Sequence, residues 1–185
     1  MKLMMKLSAG IAMVIIILTT FSSQASAYVS YNTLSVNPYK QEQTNWCWAA
    51  TSKTVIEYLG KGSPTQSQIV KGVKGSVVNE GATTSEDKES LTDWGVATTV
   101  KQDSVPFGTI VTDIENSRPL KAGVMWKNGG GGHDFVIYGY YQDTDKSKYD
   151  VYYSDPIDGL KTIRSYDSFD NNTSFSWYDS YYNNH

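Results

Sequence analysis

Hydrophobic residues between positions 46 and 118 recur at the spacing of helices that are apolar on one face. A helix is predicted over 46–59, ending at Gly60, which is a typical residue just beyond a helix. A capping-box start at 63–66, with Pro64 as first helical residue, predicts a short second helix through Ile69 and Val70. Two further helices are predicted from Thr84 or Ser85 to about 94–95, and over 107–116.

The pattern changes after residue 120 to β-branched and aromatic runs separated by Gly, Asp and Pro clusters. These runs predict strands at 124–126, 133–141, 150–154 and 161–166, with a hairpin turn at 142–148. The tail 171–185 fits either a last strand or a loose end. The order of helices followed by strands predicts an α+β fold, with N-terminal helices packed on a C-terminal antiparallel sheet.

Composition limits the classes of function. The chain has 185 residues, a formal net charge of −3 and one cysteine. Its length fits a single domain, and its mild negative charge gives no basic surface for nucleic acid. A single cysteine excludes an intrachain disulfide and a Cys-rich zinc site. No HExxH motif is present, so no metal or other cofactor is expected.

The N-terminal segment is typical of a targeting signal rather than of the folded domain. Residues 1–27 have two lysines, an apolar run and an Ala25-Ser26-Ala27 ending, which predict a cleaved secretory signal peptide. The expected mature domain is 28–185. No other stretch is apolar enough to cross a membrane, so we expect an extracellular protein that has no membrane contact after signal cleavage and is a monomer.

Cys47 is the residue that most strongly suggests chemistry. It lies at the predicted start of the first helix, where free backbone N–H groups and the helix dipole favour a thiolate. A thiolate with a basic partner is a strong nucleophile. The chain has two histidines, of which His185 is terminal and expected to be mobile, so His133 is the candidate base.

Asp155 is the candidate group that orients His133. It ends a predicted strand, and pairing through the 142–148 turn would bring it beside His133, which begins the preceding strand. The Cys47 N–H and a nearby side-chain amide could stabilise an oxyanion. Gln41 and Gln43 both have this chemistry, and spacing alone does not choose between them.

Other residues near these positions have structural or functional interpretations. Trp46 and Trp48 flank Cys47 and could line a substrate cleft, although one of them, Trp48 in particular, could equally pack under the helix. The glycines at 129–132 resemble a phosphate loop only superficially, and are interpreted as a flexible approach to His133. Trp46 and Gly132 are the predicted substrate-binding residues.

The segments around Cys47, His133 and Asp155 resemble papain-like cysteine peptidases. The resemblance is carried by Gln41, by Cys47 followed by Trp-Ala-Ala, by the strand 132–140 and by Ser-Asp-Pro at 154–156. Asp before Pro in the third segment is similar to bacterial members that process bacteriocin leaders and to secreted plant-pathogen effector proteases. The resemblance implies that Cys47 is the nucleophile, His133 the base, Asp155 the orienting residue and Gln41 the oxyanion donor.

The sequence therefore predicts a secreted cysteine endopeptidase that acts on protein or peptide substrates. A thiol-dependent acyltransferase or amidase with the same site is one alternative. A non-enzymatic secreted binding module, in which Cys47 is a core residue, is the other.

Overall fold

A computed structural model describes residues 27–185, and positions 1–26 of the predicted signal peptide lie outside the described residues. The described residues form the following elements: β1 Val29–Thr33, α1 Cys47–Tyr58, α2 Gln66–Lys74, α3 Thr84–Thr92, β2 Thr99–Lys101, α4 Phe107–Glu115, β3 Leu120–Trp126, β4 Gly132–Asp143, β5 Lys148–Asp155, β6 Leu160–Ser165, α5 Tyr166–Asp170 and β7 Phe175–Tyr182. In this part of the chain, each helix is too short or too polar to traverse a lipid bilayer.

Within residues 27–185, the seven strands belong to one antiparallel sheet, in the order β2-β7-β3-β4-β5-β6, with β1 paired to β4. This confirms the predicted α+β class. The tail forms β7, which lies between β2 and β3 in the sheet. The backbone of His185 pairs with Ala97 at 2.9 and 3.1 Å, so the expected mobile terminus is instead bonded to the preceding loop.

The helix starts depend on local capping. The capping box of α2 is formed by Thr65 and Gln68 rather than by Ser63 and Gln66 as the sequence predicted. Gln66 is not available for that role, because its side chain is buried and bonds the backbone of Lys40 and Glu42 at 2.7 and 2.9 Å. As predicted, α1 ends before Gly60, whose φ is +67°.

Two hydrophobic cores lie on the sheet. The core under α1, α2 and α3 contains the two tryptophans beside Cys47 and reaches the sheet at Val136 and Tyr181. The other core contains α4, the α5 residue Phe169 and the alternate residues of β3, β4 and β5. The start of α1 therefore meets the sheet where β4 begins.

Candidate active site

The start of α1 is held by two buried tryptophans. The indole N–H groups of Trp46 and Trp48 donate to the backbone oxygens of Val78 and Glu80 at 2.8 and 3.0 Å. These two hydrogen bonds anchor the rings on either side of Cys47, which is the first residue of the helix. The Cys47 side chain remains partly exposed.

His133 and Asp155 are in direct contact. The His133 Nε2 atom lies 2.8 Å from Asp155 Oδ1, and the same oxygen accepts the Ile157 N–H at 2.9 Å. The imidazole is stacked on Trp126, with ring centroids 5.6 Å apart, and meets Phe135 edge-on at 5.0 Å. These contacts fix both the position and the orientation of the ring.

A β-bulge at Tyr138 places Asp155 on the correct face of the sheet. Near the turn, β4 and β5 pair in one register; beyond Tyr138 the register shifts by one residue, so that Val136 pairs with Ser154. Continuing this register puts Asp155 opposite Phe135, on the same face as His133. Without the bulge, Asp155 would lie opposite Val136 and would point to the other face.

Cys47 and His133 line one cavity of about 540 Å³. Gly132, which stays a predicted substrate-binding residue, also lines it. Further lining residues come from the start of α3 with the segment before it, from β3 and from β7, and include Gly81, Thr84, Gly123, Met125, Tyr178 and Tyr181. The structure thus brings Cys47 and His133 to one cavity, with Asp155 bonded to His133.

The structure corrects the expectation for Trp46. Its side chain is 2% exposed and lies in the core under the helices, outside the cavity that holds Cys47. Trp48, which the sequence allows either to pack under the helix or to line the cleft, is also buried but contributes to the cavity wall. Sequence position alone does not distinguish the two, because both flank Cys47.

Gln41 does not line this cavity. Its Nε2 atom donates to the backbone oxygens of Gln43 and Thr44, both at 2.8 Å, and its side chain borders a separate surface pocket with Ile157. Its backbone N–H donates to Pro156 at 2.7 Å, so the segment that carries Gln41 is bound to the turn that follows Asp155.

The electrostatics around Cys47 differ from those expected at a helix start. The pKa of the thiol is raised to about 12, first by burial and second by the nearby Asp134 carboxylate. The nearby Asp134 backbone N–H and the positive charge of Lys121 both lower the pKa by less. In this arrangement the resting thiol keeps its proton.

Lys121 is a residue of the site that sequence reasoning missed. Its side chain is fully buried, forms an ion pair with Asp87 and donates to Ser52 Oγ at 2.8 Å and to the Trp48 carbonyl at 3.3 Å. A lysine within the otherwise apolar β3 sequence is the signal that could have identified it.

A helix-borne cysteine that shares a cavity with a strand-borne histidine, which is itself bonded to a carboxylate, on this α+β fold, defines a papain-like cysteine peptidase, a hydrolase. The chain belongs to the family described as papain-like cysteine protease AvrRpt2, whose sequence profile matches residues 29–174. This confirms the resemblance seen in the sequence. A search of curated protein sequences gives no match.

Solved structures share the fold. The peptidase domain of Streptococcus ComA, a bifunctional ABC transporter involved in quorum sensing, is 18% identical with a TM-score of 0.59, covering 78% of this chain and 94% of that one. The double-glycine-motif protease of an AMS/PCAT transporter, solved with its leader peptide, is 18% identical with a TM-score of 0.54 and coverages of 82% and 92%. UfSP from C. elegans is 12% identical, with a TM-score of 0.56 and coverages of 83% and 34%.

Proposed function

We propose that this cysteine peptidase is a secreted endopeptidase in which Cys47, His133 and Asp155 act as a catalytic triad. The proposal is carried by one observation: His133, bonded to Asp155 at 2.8 Å, lines the same cavity as Cys47. An imidazole fixed by a carboxylate beside a thiol is suited to acyl transfer.

The roles of the two imidazole nitrogens follow from the contact with Asp155. Because Nε2 is engaged by the carboxylate, Nδ1 is left to accept the proton of the Cys47 thiol. The sulfur then attacks the peptide carbonyl carbon, and the imidazolium returns the proton to the leaving amine as the C–N bond breaks. Water, deprotonated by the same nitrogen, hydrolyses the resulting thioester and releases the thiol and the carboxylic acid.

The high pKa of the resting thiol bears on the first step. Since burial keeps Cys47 protonated, His133 would take the proton as the carbon–sulfur bond forms, rather than beforehand. Asp155 stabilises the imidazolium that this transfer creates. Catalysis is then expected to depend strongly on both His133 and Asp155.

The oxyanion of the tetrahedral intermediate needs hydrogen-bond donors. The Cys47 N–H is one proposed donor, because the first N–H groups of a helix have no acceptor within the helix. The other is the Gln41 side chain, which would exchange one of its two bonds to the backbone for the oxyanion. Gln41→Ala should then lower kcat more than it raises KM.

The activity test compares the wild-type protein with Cys47→Ala on a mixed peptide library. New peptide termini, detected by mass spectrometry, should appear with the wild-type protein and be absent with the variant. Equal cleavage by both proteins would contradict the mechanism. If an added amine becomes the main acyl acceptor in place of water, the assignment changes to acyltransferase.

Secretion is tested separately. The proposal rests on the signal-peptide pattern of residues 1–27, and it predicts that the exported protein begins at Tyr28. N-terminal sequencing of protein recovered from the medium measures this directly. Retention of the full chain in the producing cells would contradict it.

A further inference from the structure

The wall of the cavity beside Cys47 carries an excess of acidic groups, and the following inference rests on the proposed peptidase function. Asp87, Asp134 and Asp179 all line the cavity and are each at least nine-tenths buried. Among residues 27–185, the buried lysine next to them is Lys121, which is paired with Asp87. One cation cannot balance three carboxylates, and an unbalanced buried charge is costly.

The three carboxylates differ in their hydrogen bonding. Asp87 accepts from Lys121, and Asp179 accepts from the hydroxyls of Thr84 and Tyr181 at 2.7 and 3.1 Å. The side chain of Asp134, 8% exposed, accepts from no N–H group and no hydroxyl among residues 27–185, and its polar neighbour is the Asp87 carboxyl. Asp134 is therefore a buried carboxyl that lines a cavity and has no cationic partner of its own.

Burial raises the pKa of Asp134 well above its ordinary value, and the negative charge of Asp87 also raises it. Both effects disfavour the charged form of the Asp134 carboxyl. A bound cation would offset this cost and would add a charge-assisted hydrogen bond.

The shape of the cavity suits an extended side chain with a positive end. Gly123 leaves room for the carboxylates, since a Cβ atom at this position would collide with the Asp179 carboxylate. Met125 and Tyr178 supply apolar wall, and the volume of about 540 Å³ is in the range of cavities that hold small ligands. Lysine and arginine combine an alkyl chain with a cationic head in this way.

We propose that this cavity is a substrate subsite that binds a lysine or arginine side chain of the peptide, with Asp134 as its anionic partner. The subsite lies next to the scissile bond, because Asp134 follows His133 in β4 and lines the same cavity as Cys47. A cation held there would also oppose the negative charge that disfavours the Cys47 thiolate.

The experiment uses matched peptides that carry either lysine or its uncharged isostere norleucine at each position flanking the scissile bond. At one position the wild-type protein should cleave the lysine peptide with a kcat/KM higher by about tenfold or more. Asp134→Asn should reduce this lysine-to-norleucine ratio towards one. Asp145→Asn, an equal charge change in the exposed β4–β5 turn, should keep the wild-type ratio.

Equal kcat/KM for lysine and norleucine at every position would overturn the subsite while leaving the peptidase activity established. Failure of the wild-type protein to cleave any peptide would instead remove the proposed endopeptidase function, and the subsite with it. If Asp134→Asn does not fold, inhibition of the wild-type protein decides: stronger inhibition by butylamine than by butanol supports the subsite, and equal inhibition overturns it.

Discussion

At the scale of the residue, two effects act in opposite directions on Cys47. A helix N-terminus stabilises an anion by roughly 0.3–2 kcal/mol. A rise of the thiol pKa from 9.0 to about 12 disfavours the thiolate by about 4 kcal/mol, so burial outweighs the helix. The sequence reveals the helix start, but it does not reveal the burial, which depends on β4 packing against α1.

The balance at Cys47 predicts how the thiol reacts with iodoacetamide. Since the reactive thiolate fraction rises about tenfold per pH unit below the pKa, alkylation of the native protein should increase steadily from pH 7 to pH 9. The same chain unfolded in urea, where Cys47 has its ordinary pKa, should react faster at pH 7 and level off above about pH 9. A native rate that is already maximal at pH 6 would contradict the protonated resting thiol.

At the scale of the element, the start of α3 depends on Glu86. Its carboxylate accepts the Thr83 N–H at 2.8 Å in a capping box and pairs with Lys74 of α2 at 2.7 Å. The hydrogen bond from Lys74 is the largest cause of a Glu86 pKa lowered to about 2, followed by the Thr83 N–H. The Glu86 carboxylate therefore links α2 to α3 and also caps the start of α3.

Glu86 makes the stability of the fold depend on pH. Because its pKa is lower in the folded state, its contribution is present above the unfolded pKa of about 4.5 and is lost as the pH falls towards about 2. Glu86→Gln should lower the free energy of unfolding at pH 7 by about 1 kcal/mol. It should also remove part of the decrease in this free energy that the wild-type protein shows between pH 4.5 and pH 2. Urea unfolding at several pH values measures this, and an unchanged pH profile would contradict it.

The pairing of β1 with β4 depends on a close approach at Gly139. A Cβ atom at Gly139 would lie 2.7 Å from both the Asn32 carbonyl oxygen and the Thr33 Cγ2 atom. Gly139→Ala should therefore displace β1 and lower the free energy of unfolding by about 1–3 kcal/mol. Gly108→Ala, at a helical site with nothing within 4 Å, serves as the control and should not destabilise the protein. Equal stability of Gly139→Ala and wild type would contradict the close approach.

Elements with strong local signals could be predicted, and those that depend on distant partners could not. The helices α1 and α4 were located closely because apolar spacing, Gly60 and Pro119 mark their ends. In contrast, β1 and β2 were missed. Both are short, and their partners β4 and β7 are far away in the sequence, so no local pattern indicates the pairing.

At the scale of the whole molecule, Lys121 joins the helices to the sheet. From β3 it contacts Asp87 of α3 and the backbone of Trp48 in α1, all within the buried interior. Removing one partner of a buried ion pair leaves an uncompensated charge, which costs far more than the loss of an exposed pair.

Lys121→Met should accordingly lower the free energy of unfolding by about 3–5 kcal/mol at neutral pH. Lys101→Met removes the lysine that pairs with Asp103 at 3.4 Å, where neither side chain is buried, and should cost less than about 1 kcal/mol. Denaturant unfolding of the two variants gives the comparison. Similar small losses for both would mean that the buried pair does not hold the helices to the sheet.

The site, like the fold, could be predicted where local sequence signals specify it and not where it depends on distant partners. The order of the Cys47, His133 and Asp155 segments, together with the hairpin turn, indicated which side chains meet. The bulge at Tyr138, the inward direction of Trp46 and the inward-facing Lys121 are set by tertiary packing. Gln41 remains a predicted donor, since its amide bonds the backbone in this structure.

The most direct measurement of the central claim is a double-mutant cycle on peptide hydrolysis. His133→Ala and Asp155→Ala should each lower kcat/KM by about 10²–10⁴-fold, because Asp155 acts through His133. The double variant should then be no less active than His133→Ala alone, within about threefold. If the two losses multiply instead, His133 and Asp155 act independently and the triad is contradicted.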